Sequence, residues 1–126
     1  MSEYSNVKPL HAPARPMLGS AMSDALDRLF ATITARQGGD PSQSYTAKLL
    51  AGGVEKCARK FGEEATETVI AAIQRDKTEV AKESADVLYH LLVLWAASGI
   101  TPQDVYAVLK SREAQSGLEE KAGRKA

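Results

Sequence analysis

A chain of 126 residues has room for one domain with a single core, and 44% hydrophobic against 25% charged residues is the usual balance of a globular fold. Lys and Arg number 16 and so do Asp and Glu, so no global field directs the chain to nucleic acid or to an anionic membrane surface. A single cysteine, Cys57, excludes an internal disulfide and a cysteine-rich zinc site.

The N-terminus lacks a charged-then-apolar signal pattern. The longest apolar run, "VLYHLLVLWAASGI", is interrupted by His90 and too short to span a bilayer. A cytoplasmic location is therefore expected, and Cys57, in a helical stretch, reads as a buried inert thiol.

Residues 1–22 hold three of the five prolines and no sustained period, and read as a poorly ordered extension to a domain over 23–126. Ser23 is the expected N-cap of the first helix, with Asp24 and Asp27 in its first turn. Leu26, Leu29, Phe30 and Ile33 recur at helical spacing, and Gly38 and Gly39 end the run. The segment "DPSQSYTAKLLAGG" reads as a turn and a short helix, with Ser44 and Thr46 available as N-caps.

A third helix is expected over about 54–74, with Phe61, Ala65, Val69, Ala72 and Ile73 as its core face. Gly62 inside it costs about 1 kcal/mol relative to alanine, which points to a close approach by backbone or ligand. Asp76 with Glu79 three residues later suits a capping box for a fourth helix over about 77–98. That helix is apolar on nearly every side after Asp86, as in the centre of a bundle or at a subunit interface. Thr101, Pro102 and Asp104 then start a last helix that buries Val105, Val108 and Leu109, before a charged tail. No stretch alternates long enough for a strand. The expected fold is all-α, a helical bundle of about four to five helices completed by dimerisation.

Glu64 and Glu67 share one face of the third helix, and Glu83 and Asp86 share one face of the fourth. A single turn joins the two helices, so they should pack antiparallel, with both pairs at comparable heights above it. Four carboxylates then converge, and ionised groups gathered in a half-dry groove need basic partners or a divalent cation. Lys56, Arg59 and Lys60 offer a structural salt-bridge network as one answer. The other is Mg²⁺ or Mn²⁺, because an all-oxygen donor set suits a hard cation and neither helix supplies the Glu-x-x-His of a di-iron site. Mg²⁺ works with substrate phosphates, for which the nearby basic residues are natural contacts.

"SYTAKLLAGGVEKCARKFGEEATETVIAAI" followed by "ESADVLYHLLVLWAASGITPQDV" closely resembles the phosphoribosyl-ATP pyrophosphatase family of histidine biosynthesis, over about residues 24–120. The two acidic elements are also similar to the wider all-α NTP pyrophosphohydrolases. The resemblance implies Mg²⁺-dependent hydrolysis of phosphoribosyl-ATP to phosphoribosyl-AMP and pyrophosphate, the second step of the pathway, by a homodimer with shared helices. It implies Glu64, Glu67, Glu83 and Asp86 as metal ligands and Glu63 as a second-metal ligand or water-activating base. A housecleaning pyrophosphatase acting on nucleoside triphosphates, or a non-catalytic dimerisation module, are the alternatives. The fused cyclohydrolase of some relatives is not expected with one cysteine and this length.

Within that reading, Lys48, Lys56 and Lys60 are the expected phosphate contacts, and Ser44 and Thr46 the hydroxyl donors. His90, on the stripe of Glu83 and Asp86, is expected beside Asp86 as a hydrogen-bonded group near the substrate. Tyr89 and Trp95 read as core residues and not as base-stacking ones.

Overall fold

The computed structural model describes residues 18–115. Among these residues five helices follow one another: α1 (Leu18–Ala35), α2 (Tyr45–Ala51), α3 (Gly53–Ile73), α4 (Lys77–Ser98) and α5 (Pro102–Glu113). Among the described residues there is no strand, so the all-α expectation holds.

Local chemistry sets most helix ends. Gly38, at φ +79°, lets the chain leave α1, and Gly39 N–H donates to the Arg36 carbonyl. Ser44 Oγ accepts from Ala47 N–H at 3.1 Å and caps α2. Asp76 caps α4 by accepting from Glu79 N–H at 3.0 Å. Thr101 and Asp104 form a reciprocal capping box on α5, with Pro102 in its first turn.

The start of α1 differs from expectation. The helix begins at Leu18, so Ser23 lies inside it and is no cap, and Asp24 and Asp27 fall beyond its first turn. Asp27 instead accepts hydrogen bonds from Gln103 Nε2 at 3.2 Å and Tyr106 Oη at 3.4 Å, tying α1 to α5. The rest of the expected extension, residues 1–17, and the end of the tail, residues 116–126, lie outside the described residues.

α3 and α4 form the principal hairpin, and α4 also packs against α1 and α2. The core gathers Ile33 of α1, Leu49 of α2, Cys57 of α3, and Leu92, Val93 and Trp95 of α4. Half of that cluster comes from the apolar end of α4, as its composition demands. Cys57 Sγ donates to the Leu49 carbonyl at 3.3 Å, and burial pushes its pKa up, so the thiol is inert packing.

Two expected core faces are only partly buried within the chain. Val69 is 55% exposed and Ile73 74%, although the period of α3 marks both as core. α4 covers one side of the end of α3, and these two residues turn away from it. On α5, Val105 packs against the core while Val108 and Leu109 are exposed. α5 leaves α4 at 108° and reaches back to α1, so one stripe of a short helix suffices.

Gly62 shows no close approach either, because a Cβ built there meets nothing within 4 Å. Without steric cost, Gly62→Ala should stabilise the protein by roughly 0.5–1 kcal/mol through lower backbone entropy of the unfolded chain. Urea unfolding checks this: an unchanged or lowered midpoint would mean that Gly62 answers to a contact the fold does not reveal.

Candidate metal centre

On α3 and α4 the ~100° turn per residue puts positions three apart on one face. Packed antiparallel, the helices bring carboxylate oxygens of Glu64, Glu83 and Asp86 within 4.8 Å of one another. All three residues are half-buried. Glu67, the fourth expected member, lies outside that group with an exposed side chain, yet its charge bears on both Glu64 and Glu83.

Burial, followed by repulsion from Glu67, Asp86 and Glu63, raises the Glu64 carboxyl above the ordinary range. Burial again, then Glu67, Asp86 and Glu64, raises Glu83. Glu83 Oε1 is shut away from solvent and has no hydrogen-bond partner. The basic residues do not relieve it. Lys60 Nζ pairs with the exposed Glu63 at 3.5 Å, one turn along its own helix, and only weakly offsets the repulsion on Glu64.

A buried oxygen without a partner, in a ring of hard anionic donors, is what an oxygen-liganded divalent cation satisfies. The residues present fit such an ion, with Glu64, Glu83 and Asp86 positioned to share it. A purely structural salt-bridge network fits poorly, since it would leave no buried carboxylate oxygen orphaned.

The residues expected to meet substrate are placed unevenly. Ser44 Oγ is engaged as the α2 cap, and Thr46 Oγ1 is hydrogen-bonded to Tyr89 Oη across to α4. Lys48 is exposed on α2. Lys56 is half-buried, its aliphatic stem lying over Gly52, where a Cβ would clash with its Cδ. His90 is 7% exposed, and its Nδ1 makes no hydrogen bond, so at that nitrogen the expected bonding is not met. Burial lowers its pKa, with Asp86 opposing. Its ring instead sits edge-on to Tyr89 at 5.0 Å and to Tyr45 at 6.3 Å. Trp95 is buried and Tyr89 half-buried, as read from the sequence. Tyr45 carries no distinct signal in the sequence, because its neighbours Ser44 and Thr46 have the more familiar polar pattern.

The raised carboxyls make stability depend on pH. A folded pKa above the unfolded value favours the fold while the group is protonated, and that contribution is lost as pH rises from the ordinary carboxylate range through the raised value. In metal-free protein, Glu83→Gln should therefore raise the melting temperature at pH 8, and the gain should shrink towards zero below the normal glutamate pKa. Melting curves across that range check it; an equal gain at both ends would remove charge repulsion as the cause.

The phosphoribosyl-ATP pyrophosphohydrolase family profile, PRA-PH, matches residues 26–113, which include both acidic helices in full. Phosphoribosyl-ATP pyrophosphatase of Cereibacter sphaeroides is 60% identical over 99 residues, covering 79% of this chain and 96% of that protein. The enzyme of the same name from Parvibaculum lavamentivorans is 61% identical over 105 residues, or 83% of this chain and 96% of its own length. That of Azospirillum brasilense is 57% identical over 100 residues, covering 79% and 90% respectively. With the match running from α1 to the end of α5, the chain belongs to the phosphoribosyl-ATP pyrophosphohydrolase family.

Proposed function

We propose that the chain hydrolyses phosphoribosyl-ATP to phosphoribosyl-AMP and pyrophosphate, the second step of histidine biosynthesis, with Mg²⁺ (or Mn²⁺) held at the α3–α4 hairpin. The observation that carries the metal requirement is the orphaned, buried Glu83 Oε1 within the three-carboxylate group. The relatives' names supply the substrate.

In this reading Glu64, Glu83 and Asp86 hold the ion and Glu67 completes the set from the exposed side. When bound, the ion supplies charge neutralisation to the phosphates and the departing pyrophosphate. Glu63, exposed and next in the chain to Glu64, takes the proton of the attacking water or supports a second ion. Lys48, Lys56 and Lys60 meet the triphosphate as point charges, Lys60 exchanging its Glu63 partner for phosphate. Ser44 and Thr46 hold α2 in place through the cap and the Tyr89 bond, and His90 backs the site from within. We place the enzyme in the cytoplasm, with residues 23–126 as its functional domain and neither nucleic acid nor membrane as partner. Among the described residues no single helix is long and apolar enough to cross a bilayer.

Pyrophosphate release from phosphoribosyl-ATP should exceed that from every member of a deoxynucleoside triphosphate panel and should require Mg²⁺. Preference for a deoxynucleotide would reassign the enzyme to nucleotide housecleaning. Mg²⁺ should also raise the melting temperature by binding the folded state, and Glu83→Gln should abolish that shift while lowering kcat/KM by about a hundredfold or more.

A homodimer accounts for the exposed apolar face of α3, where Val69, Ile70 and Ile73 stand 55%, 48% and 74% exposed. Sedimentation should give twice the chain mass, and Ile73→Glu should halve it. A wild-type monomer would refute the assignment.

A further inference from the structure

Among the described residues, Tyr45 is the one aromatic side chain left open to solvent, at 55% exposure. Phe30, Phe61, Tyr89, Trp95 and Tyr106 are all buried or half-buried. The exposed ring is not loose. It stands at the first position of α2, edge-on to His90 with centroids 6.3 Å apart and planes at 87°. His90 in turn is 7% exposed and wedged edge-on against Tyr89, whose hydroxyl is bonded to Thr46, the residue after Tyr45. The short helix is thus pinned to α4 beside the ring it presents.

The place of this ring matters as much as its exposure. His90 is one turn beyond Asp86 on α4, a rise of about 6 Å, so Tyr45 flanks the carboxylate group without entering it. That rise and the 6.3 Å from His90 to Tyr45 together make a span that a nucleotide with its phosphates at Glu64, Glu83 and Asp86 can bridge. A flat ring held against His90 and more than half exposed offers a base a stacking partner at little ordering cost.

We infer that Tyr45 is a specificity-determining residue of the site, its ring the platform on which the nucleobase of the substrate stacks. This rests on the proposed hydrolase reading and adds the part of the substrate that the carboxylates cannot recognise. Stacking needs the ring and not the hydroxyl, so Tyr45→Phe should behave as wild type. Tyr45→Ala and Tyr45→Leu should lose the base contact while leaving phosphate binding intact.

The test compares AMP, which has a base, with inorganic pyrophosphate, which has none, by calorimetry on the Mg²⁺-loaded protein. Tyr45→Ala and Tyr45→Leu should weaken AMP about tenfold or more and leave pyrophosphate within about twofold. KM for phosphoribosyl-ATP should rise by a similar factor, with kcat little changed. Unchanged AMP affinity in Tyr45→Ala, an equal loss for pyrophosphate, or a loss in Tyr45→Phe would each overturn the inference. Dissociation of the protein by Tyr45→Ala with unchanged AMP affinity would assign the ring to an interface between copies and equally overturn it. Absence of phosphoribosyl-ATP turnover in wild type would instead defeat the hydrolase reading, with the AMP and pyrophosphate comparison still deciding the role of Tyr45.

Discussion

Like charges crowded at the α3–α4 hairpin are the constraint around which this molecule is organised. Glu64, Glu83 and Asp86 are held within 4.8 Å of one another, and the ionised forms of Glu64 and Glu83 are disfavoured there. Isolated side chains would swing apart. Here each is fixed to a helix, and the helices are pressed together by apolar contacts elsewhere in the bundle. Hydrophobic burial at one end of the hairpin sustains electrostatic stress in its middle.

α4 shows the division of labour within one element. Its first half carries Glu83 and Asp86; its second carries Leu92, Val93 and Trp95, which anchor the core. His90 stands at the boundary, buried like a core residue but with an orphaned nitrogen. A rigid core immediately beyond the acidic turn limits how far the carboxylates can relax. Under the proposed reading, a site that accepts a cation and polyphosphate without rebuilding itself would benefit from that stiffness.

Elements with both a period and a cap were legible in the sequence. The α4 bounds, the Asp76 cap and the Thr101–Asp104 box all follow from residue types at fixed offsets, and those interactions are local. The antiparallel pairing of two acidic faces was legible too, because one short turn permits little else. Other features depend on what lies opposite. Periodicity assigned Val69, Ile73, Val108 and Leu109 to a core but could not say whether this chain supplies the covering surface. Ser23 looked like a cap because serine before an apolar run usually is one, yet the helix starts earlier. Gly62 reads as a point of contact, and only the fold reveals the empty space beside it. Tyr45 was invisible for a related reason: exposure of a ring is a property of its surroundings.

The link between α3 and α4 is three residues, Gln74 to Asp76, with Arg75 in the left-handed region at φ 60°. Such a tight reversal admits no slack. Each residue of a helix advances its side chains by about 100°, so the length of this link and the angular phase between the two acidic faces are a single variable. The loop therefore acts as a timing pin between two gears: its residue count, which touches no ligand, decides which teeth meet.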